Sequence, residues 1–237
     1  CRVYSSIPVL EMSTKAGEFD ASADRDQASL GATTTGFFAV LPDPLSLDSG
    51  APAAVAPAFE ERLQARYWSE ATPEYSIDAW LVAGITNELD WPILPGEAFF
   101  YIDGQLASRR PIEGAPTGED FELALGRNEN VVIERKERLR TESQSGLIDK
   151  TRRHALKFET TVTNRMPIAH EVVLRDRFPV SQNNKIQIDA QSPRNVEVEE
   201  GTGIFRWERE IAPGASAVLE TEYTITYPAE WTILPSF

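Results

Sequence analysis

Apolar and polar residues alternate with a period of two along most of the chain, and this pattern predicts β-strands. The clearest case is residues 216–228, SAVLETEYTITYP, where one side of the alternation consists of Ala217, Leu219, Thr221, Tyr223, Ile225 and Tyr227. Successive side chains of a strand point to opposite faces, so this segment should be half buried. The AFEERLQARY segment at 58–67 could hold two helical turns, but Phe59, Leu63 and Tyr67 also fit a twisted strand and its flanks are rich in Pro, so it is interpreted as a strand.

Two turns in the sequence predict hairpins. Ala212-Pro213-Gly214 separates the strand above from a run in which Phe205, Trp207 and Ile211 share one face. If the two strands pair, those residues lie opposite Tyr223 and Ile225, and Trp207 is a core residue without a ligand role. Asp103-Gly104 lies between two other apolar runs, and an Asp-Gly pair favours a type I′ hairpin turn.

A short sequence echo suggests internal duplication. Thr86-Asn87 and Thr163-Asn164 each end a predicted strand, and each is followed within a few residues by Pro and an apolar residue, about 77 residues apart. An Asn side chain can bond the backbone of such a turn, and Pro can begin the next strand. We therefore predict an all-β fold with two antiparallel β-sandwich domains in tandem, the second resembling immunoglobulin and fibronectin type III domains.

The predicted domain bounds are residues 34–128 for the first sandwich and 129–237 for the second. Residues 1–33 are predicted to hold an N-terminal strand followed by a polar linker or insertion. Within them, residues 12–33 are small, polar and acidic with little periodicity, which is typical of a linker or a mobile loop. Residues 141–151 are interpreted as a shorter loop.

Charge limits the classes of partner. The formal net charge is -14, and residues 1–130 hold 21 acidic and 8 basic residues. Nucleic-acid binding depends on Lys and Arg that neutralise phosphates, so this composition argues against it and against docking on anionic lipid. No apolar run approaches the roughly 18 residues of a membrane-spanning helix. Cys1 is the only cysteine, so no intrachain disulfide forms, and its position is interpreted as the boundary of an excised fragment rather than as an acylated lipoprotein terminus.

No motif in the sequence indicates catalysis, a metal or a cofactor. The two histidines, His154 and His170, lie outside zinc-binding patterns and are interpreted as solvated residues at strand ends. A calcium site could be built from Glu18, Asp20, Asp24 and Asp26, but their spacing differs from an EF-hand loop and a solvated acidic loop is the simpler interpretation. We predict no catalytic residues, no metal ligands and no cofactor.

The tryptophans and one basic run are the remaining candidates for binding. Trp80 and Trp207 are placed in the core by their strand positions. Trp68, Trp91 and Trp231 lie beside turns and are candidate contacts for a ligand or partner, although Trp residues in such positions more often close the end of a sandwich. The run Arg135-Lys136-Glu137-Arg138-Leu139-Arg140 is interpreted as a solvated strand face rather than as an anion site.

Several stretches resemble one known family. LPGEAFFYIDG at 94–104, TVTNRMPIAHEVVLRDRFPVS at 161–181 and GIFRWEREIAPGASAVLETEYTITYP at 203–228 are similar to the C-terminal domain of mucoidy-inhibitor-A-like proteins. That domain has no assigned function and no established catalytic residues to carry over. The resemblance implies a longer parent protein with an N-terminal β domain and a coiled coil through which it could form oligomers. The family's association with capsule or exopolysaccharide phenotypes implies a role in the cell envelope.

From these observations we predict a non-catalytic interaction or scaffold module of a bacterial envelope protein. Its partner would be a protein or a glycan, located in the periplasm or at the cell surface, with no membrane insertion by this segment. The residues leave a cytoplasmic location open. The alternative is a carbohydrate-binding or polysaccharide-acting protein that uses a pair of surface carboxylates, which would have to lie about 5–9.5 Å apart.

Overall fold

The fold consists of β-strands, as a computed structural model of the chain shows. The structure describes the backbone of residues 2–5, 9–11, 29–33 and 36–40, and backbone with side chains for 60–145, 150–194 and 196–232. Among these residues there is no helix, so the all-β class is confirmed. The strands are β1 Arg2–Ser5, β2 Val9–Glu11, β3 Ser29–Thr33, β4 Gly36–Val40, β5 Glu60–Glu61, β6 Ala65–Ala71, β7 Trp80–Thr86, β8 Gly96–Ile102, β9 Gln105–Ile112, β10 Asp120–Arg127, β11 Val131–Ser145, β12 Thr151–Asn164, β13 His170–Arg177, β14 Gln187–Gln191, β15 Ile204–Ile211 and β16 Ser216–Pro228.

The strands form sheets with the orders β5-β2-β1-β8-β9, β10-β7-β6-β13-β15, β11-β12-β16-β14 and β3-β4. Most pairs are antiparallel, and β6 with β13 is a parallel pair in which Ser69, Glu70 and Ala71 lie opposite Val172, Val173 and Leu174. The chain divides into two compact units, residues 1–67 with 82–126 and residues 68–81 with 127–237. The bounds of the two predicted sandwiches and their immunoglobulin-like topology stay predictions.

The described part of the second unit contains an apolar core to which two sets of strands contribute. From β11, β12 and β16 come Val131, Ile133, Val162 and Leu219, and from β13 and β15 come Val172, Leu174, Phe205, Trp207 and Ile211. Phe178, which follows β13, packs against Phe205 with ring centroids 5.1 Å apart. The buried face of each strand follows from the period-two pattern, as at Phe205, Trp207 and Ile211.

The predicted hairpin across Pro213-Gly214 is wrong, although the burial of Trp207 is confirmed. β15 pairs with β13, whereas β16 pairs with β12 and β14. The turn therefore carries the chain from one sheet to the other. Tyr223 meets Phe178 at 6.3 Å in an edge-on arrangement and packs on the core cluster, instead of lying beside Trp207 as a cross-strand neighbour. Alternation identifies the buried face of a strand but not which strand it pairs with.

The Thr-Asn echo is a repeated structural corner. The side-chain amide of Asn87 donates to the carbonyls of Trp91 and Ala115, at 3.1 and 2.9 Å, and its oxygen accepts from the backbone N–H of Leu89. Asn164 repeats the set, with donation to Ile168 and Ile211 at 2.9 and 2.8 Å and acceptance from Met166.

The backbone of the two corners repeats as well. The carbonyl of Asn87 accepts from Gly118 and its N–H donates to Glu119, while Asn164 has the same bonds with Gly214 and Ala215. Both asparagines are completely buried, so these bonds satisfy polar groups that water cannot reach. The prediction that this Asn bonds the turn backbone is confirmed in both copies.

Other local predictions have mixed outcomes. The Asp103-Gly104 turn joins β8 to β9, and both residues have the positive φ that a type I′ turn requires, so that hairpin is confirmed. The described part of residues 58–67 contains strand and no helix, also as predicted. Ser29–Thr33 is a strand paired with Gly36–Val40, which corrects the C-terminal part of the linker predicted at 12–33. Residues 12–28 lie outside the described residues.

The loop predicted at 141–151 is also wrong in part. β11 continues to Ser145 and β12 begins at Thr151, with antiparallel pairing along both strands. The polar sequence TESQS lacks alternation because neither of its faces is buried, so no apolar pattern marks the strand. Regular pairing with β12 holds it in place instead.

Candidate functional sites

Within the described residues, the arrangement most like a nucleophile with its base is a buried cluster of Ser69, His170 and Asn128. Ser69 lies on β6 and His170 begins β13, and the parallel pairing of these strands brings their side chains together. Ser69 Oγ is 2.9 Å from His170 Nε2, and the Asn128 amide donates to Ser69 Oγ at 2.9 Å. Burial lowers the pKa of His170, and the nearby Glu171 opposes this effect, so the ring is held toward its neutral form.

The geometry of this cluster suits a structural hydrogen-bond network. Ser69 is completely buried, so its hydroxyl is closed to a substrate, and Asn128 bonds the serine rather than orienting the imidazole as the third member of a triad does. The expectation that His170 is a solvated residue at a strand end is wrong, because its side chain is buried and hydrogen-bonded to Ser69 of β6. Sequence reasoning missed Ser69 and Asn128, since no local pattern links positions so distant along the chain.

His154 lies in a second polar cluster on β12. Its Nε2 is 2.7 Å from Tyr227 Oη, and the two rings stack with centroids 5.5 Å apart. Glu142 Oε1 lies 3.7 Å from the same nitrogen. The ring is half-buried and has defined partners, so the expected solvated histidine is corrected here as well.

The basic run of β11 is mostly a solvated face, as predicted, with one exception. Lys136, Arg138 and Arg140 pair with Glu134, Glu159 and Glu137 at the surface. Arg135 instead points inward, pairs with the buried Asp176 of β13 and lies over the ring of Phe158 at 4.8 Å. This ion pair joins two sheets of the second unit.

The structure places the tryptophans differently from several of the sequence predictions. Trp68 lies within β6, not beside a turn, and with 3% of its surface exposed it offers no ring for contact. Trp91 and Trp231 are half-buried, and Lys185 Nζ lies 5.7 Å from the ring centroid of Trp231. Trp80, predicted to be a core residue, is 40% exposed at the start of β7. The proposed contact role of Trp91 and Trp231 stays a prediction.

Most of the carboxylates with a displaced pKa are held by surface ion pairs. Arg109 lowers the pKa of Glu97, Lys136 that of Glu134, Arg140 that of Glu137 and Arg138 that of Glu159, in each case chiefly through a hydrogen bond. Burial raises the pKa of Glu61. Within the described residues no three metal-ligating side chains come together. The candidate calcium ligands Glu18, Asp20, Asp24 and Asp26, like Cys1, lie outside that part of the chain.

The fold and these clusters define an all-β domain whose polar clusters are built into its strands. The chain belongs to the family described as Domain of unknown function (DUF4139), whose model matches residues 11–229. It is similar to Protein F37C4.5 of Caenorhabditis elegans, with 29% identity over 168 residues, which cover 66% of this chain and 30% of that protein. The aligned part thus spans about 30% of the length of this relative.

No solved structure matches the chain. Within the described residues there is no helix of sufficient length and apolar character to cross a membrane.

Proposed function

We propose that this domain is a non-catalytic interaction module that contacts its partner through the extended part of the β11–β12 hairpin. The proposal rests on the exposure of β11 to solvent. Every residue from Lys136 to Ser145 is exposed, although the strand stays paired with β12. A strand that adds so little to the core does little for folding stability, because burial of apolar surface is the main stabilising term. Residues 136–145 with 151–157 are called the arm below.

Several features of the arm disfavour the non-specific pairing of its edge with a strand of another chain. β11 is the edge strand of its sheet, it carries alternating charges, and its register shifts between Glu137 and Leu139. Charges and bulges on an edge strand discourage pairing with other chains. The proposed contact therefore uses the side chains on the faces of the arm rather than its free backbone edge.

An envelope location and a link to exopolysaccharide remain part of the proposal, supported by the resemblance to mucoidy-inhibitor-A-like proteins. The nematode relative offers no support for that part. The carboxylate-pair alternative is not favoured, because four of the carboxylates with a displaced pKa are bound to cations rather than poised as acids.

The test is site-specific photo-crosslinking in cells that make the full-length parent protein. A photoreactive residue is placed at Ser143 on the arm, and at Glu200 in an exposed turn as the control. We expect a discrete crosslinked species from the Ser143 variant and not from the Glu200 variant. Both labelled variants should be recovered in the envelope fraction. Equal crosslinking at the two positions, or no crosslinking at Ser143, would contradict the role of the arm in binding. Recovery of both labelled variants in the cytosol would contradict the envelope location.

A further inference from the structure

Arg152 lies on the arm in a half-buried setting unlike that of Arg138 and Arg140. It is in β12, two residues before His154, so both side chains belong to the same face. Its direct neighbours across the strands are Gln144 of β11 and Tyr227 of β16, and neither is an acid. These four residues, Gln144, Arg152, His154 and Tyr227, are called the arm-end site.

The guanidinium of Arg152 has an unmet hydrogen-bonding capacity. Its Nε is buried and has no hydrogen-bond partner. By contrast, Arg138 and Arg140 on the same hairpin each bond a carboxylate. A buried donor without a partner is unfavourable, and more so when the group is charged. The buried Nε itself is closed to a ligand, but the side chain is half-buried and no acid among the described residues pairs with it, so its terminal amino groups are open to an anion.

The surroundings of Arg152 are held in place. The bond between His154 and Tyr227 and the stacking of their rings fix both side chains, and Tyr227 is buried. Next to them, the N–H of Ala229 donates to the carbonyl of Lys150 at 2.8 Å, which ties the end of β16 to the start of β12. A rigid surrounding reduces the entropy lost when a ligand binds.

We propose that the arm-end site binds a carboxylate group of a partner, with Arg152 as the residue that recognises it. Guanidinium groups bind carboxylates and phosphates through paired N–H donors. Glu142 lies 3.7 Å from His154 Nε2, so a negative charge is already present beside the site. The attraction to Arg152 and the repulsion by Glu142 both grow with the charge of the ligand, so the phosphate titration below tests the choice of a monoanionic carboxylate.

The proposal deepens the proposed function by naming what the arm recognises. The carboxylate can come from an acidic peptide side chain or from an acidic sugar, and the experiment distinguishes these sources. Acetate, a peptide containing one Glu, glucuronate and inorganic phosphate are each titrated into the 237-residue chain, with chloride at the same ionic strength as reference. The side-chain amide of Gln144 and the Arg152 Nε–H are followed by NMR.

We expect saturable shifts of both signals with the carboxylates, at affinities on the order of millimolar for a single group. The variant Arg152→Gln should bind at least tenfold more weakly. The matched control is Arg153→Gln, which removes the same charge from the adjacent residue on the opposite face of the strand and should bind like the unaltered chain. If the Glu peptide binds more tightly than glucuronate, the carboxylate comes from a peptide side chain; if glucuronate binds more tightly, it comes from an acidic sugar.

Three results would overturn the proposal: shifts no larger than those with chloride, unchanged binding by Arg152→Gln, or tighter binding of phosphate than of acetate. Spectra of both variants that match the unaltered chain away from the arm show that the fold is intact. Should Arg152→Gln perturb the fold, Arg152→Lys keeps the charge without the planar fork and is expected to lose most of the affinity. Because these titrations need no cellular partner, their failure is distinguishable from a failure of the crosslinking experiment.

Discussion

Single buried residues have the clearest physical consequences in this domain. Trp207 and His170 both lie inside the second unit, one as an apolar anchor and the other as a polar group in a network. Both contribute to folding stability, but the first is tested by truncation of the side chain and the second by the dependence of stability on pH.

Trp207→Ala should be strongly destabilising. The side chain is 3% exposed and belongs to the main core cluster, so its removal leaves a large cavity. Truncation of a buried Trp costs about 3–5 kcal/mol. Denaturant unfolding should show this loss, together with the disappearance of a blue-shifted, quencher-resistant component of the fluorescence. Trp80→Ala, at an exposed position, is the control and should cost much less; equal losses for the two would contradict the anchor role of Trp207.

His170 should make stability depend on pH in mildly acidic solution. Burial lowers its pKa in the folded state, whereas in the unfolded chain it titrates near its ordinary value of about 6.5. Below that pH the unfolded state binds more protons, so stability is fully present above about pH 6.5 and is lost as the pH falls toward the folded-state pKa. Urea unfolding between pH 5 and 8 should show a steeper fall for the unaltered chain than for His170→Gln. His154→Gln, which leaves His170 in place, should keep the steep fall, and a His170→Gln profile parallel to that of the unaltered chain would refute this role.

At the scale of elements, the turns determine how strands are joined. The two asparagine corners hold the ends of their strands by several bonds from one side chain, and the turn that ends at Gly203 leads into the start of β15. In the first case a side chain, and in the second a backbone conformation, fixes where the strand ends or begins, which strand propensity alone does not determine.

Asn164→Ala should destabilise the second unit by about 2–4 kcal/mol, since each buried group left without a partner costs about 1–3 kcal/mol. The change would leave the carbonyls of Ile168 and Ile211 and the N–H of Met166 without the Asn164 side chain. The comparison is Asn183→Ala, whose side chain accepts from Lys185 in an exposed turn. Thermal unfolding should place Asn183→Ala close to the unaltered chain, and similar melting temperatures for the two variants would contradict the corner's contribution.

Gly203→Ala should be much more harmful than Gly201→Ala. Both glycines have positive φ, which costs a residue with a Cβ about 1 kcal/mol or more. A Cβ on Gly203 would also lie 2.3 Å from the carbonyl oxygen of Phe178, whereas one on Gly201 would meet nothing within 4 Å. Chemical denaturation of the two variants measures the difference. Equal destabilisation would mean that the backbone conformation alone, and not the close approach, makes the glycine necessary.

At the scale of the whole second unit, a buried ion pair joins two sheets. The alternation of apolar and polar residues along the sequence does not indicate that these sheets lie together. Arg135 of β11 and Asp176 of β13 meet inside, and the side chain of Asp176 is almost fully buried. The pair does not by itself imply added stability, because the desolvation of two charges offsets their attraction.

Loss of one member of this pair should be costly, and replacement of both should not. Asp176→Ala leaves the guanidinium of Arg135 without its acid and should cost about 3–5 kcal/mol, whereas Arg135→Met with Asp176→Leu should recover most of it. The exposed pair Arg138–Glu159 is the control, and Glu159→Ala should cost much less than Asp176→Ala. A double-mutant cycle by urea unfolding measures the coupling, and additive costs at Arg135 and Asp176 would show that the two residues do not act as a pair.

Much of the local structure could be predicted from the sequence because its causes are local. Alternation placed the buried faces of β15, and the Asp103-Gly104 and Asn164 turns were recognisable because their residue types favour one backbone geometry. The tertiary structure alone decided which strands pair, as at β15 and β16, since a buried face fits any complementary neighbour. It also decided the positions of Ser69, Asp176 and Arg152, because a polar side chain takes its role from residues far away in the chain, and no sequence period records those partners.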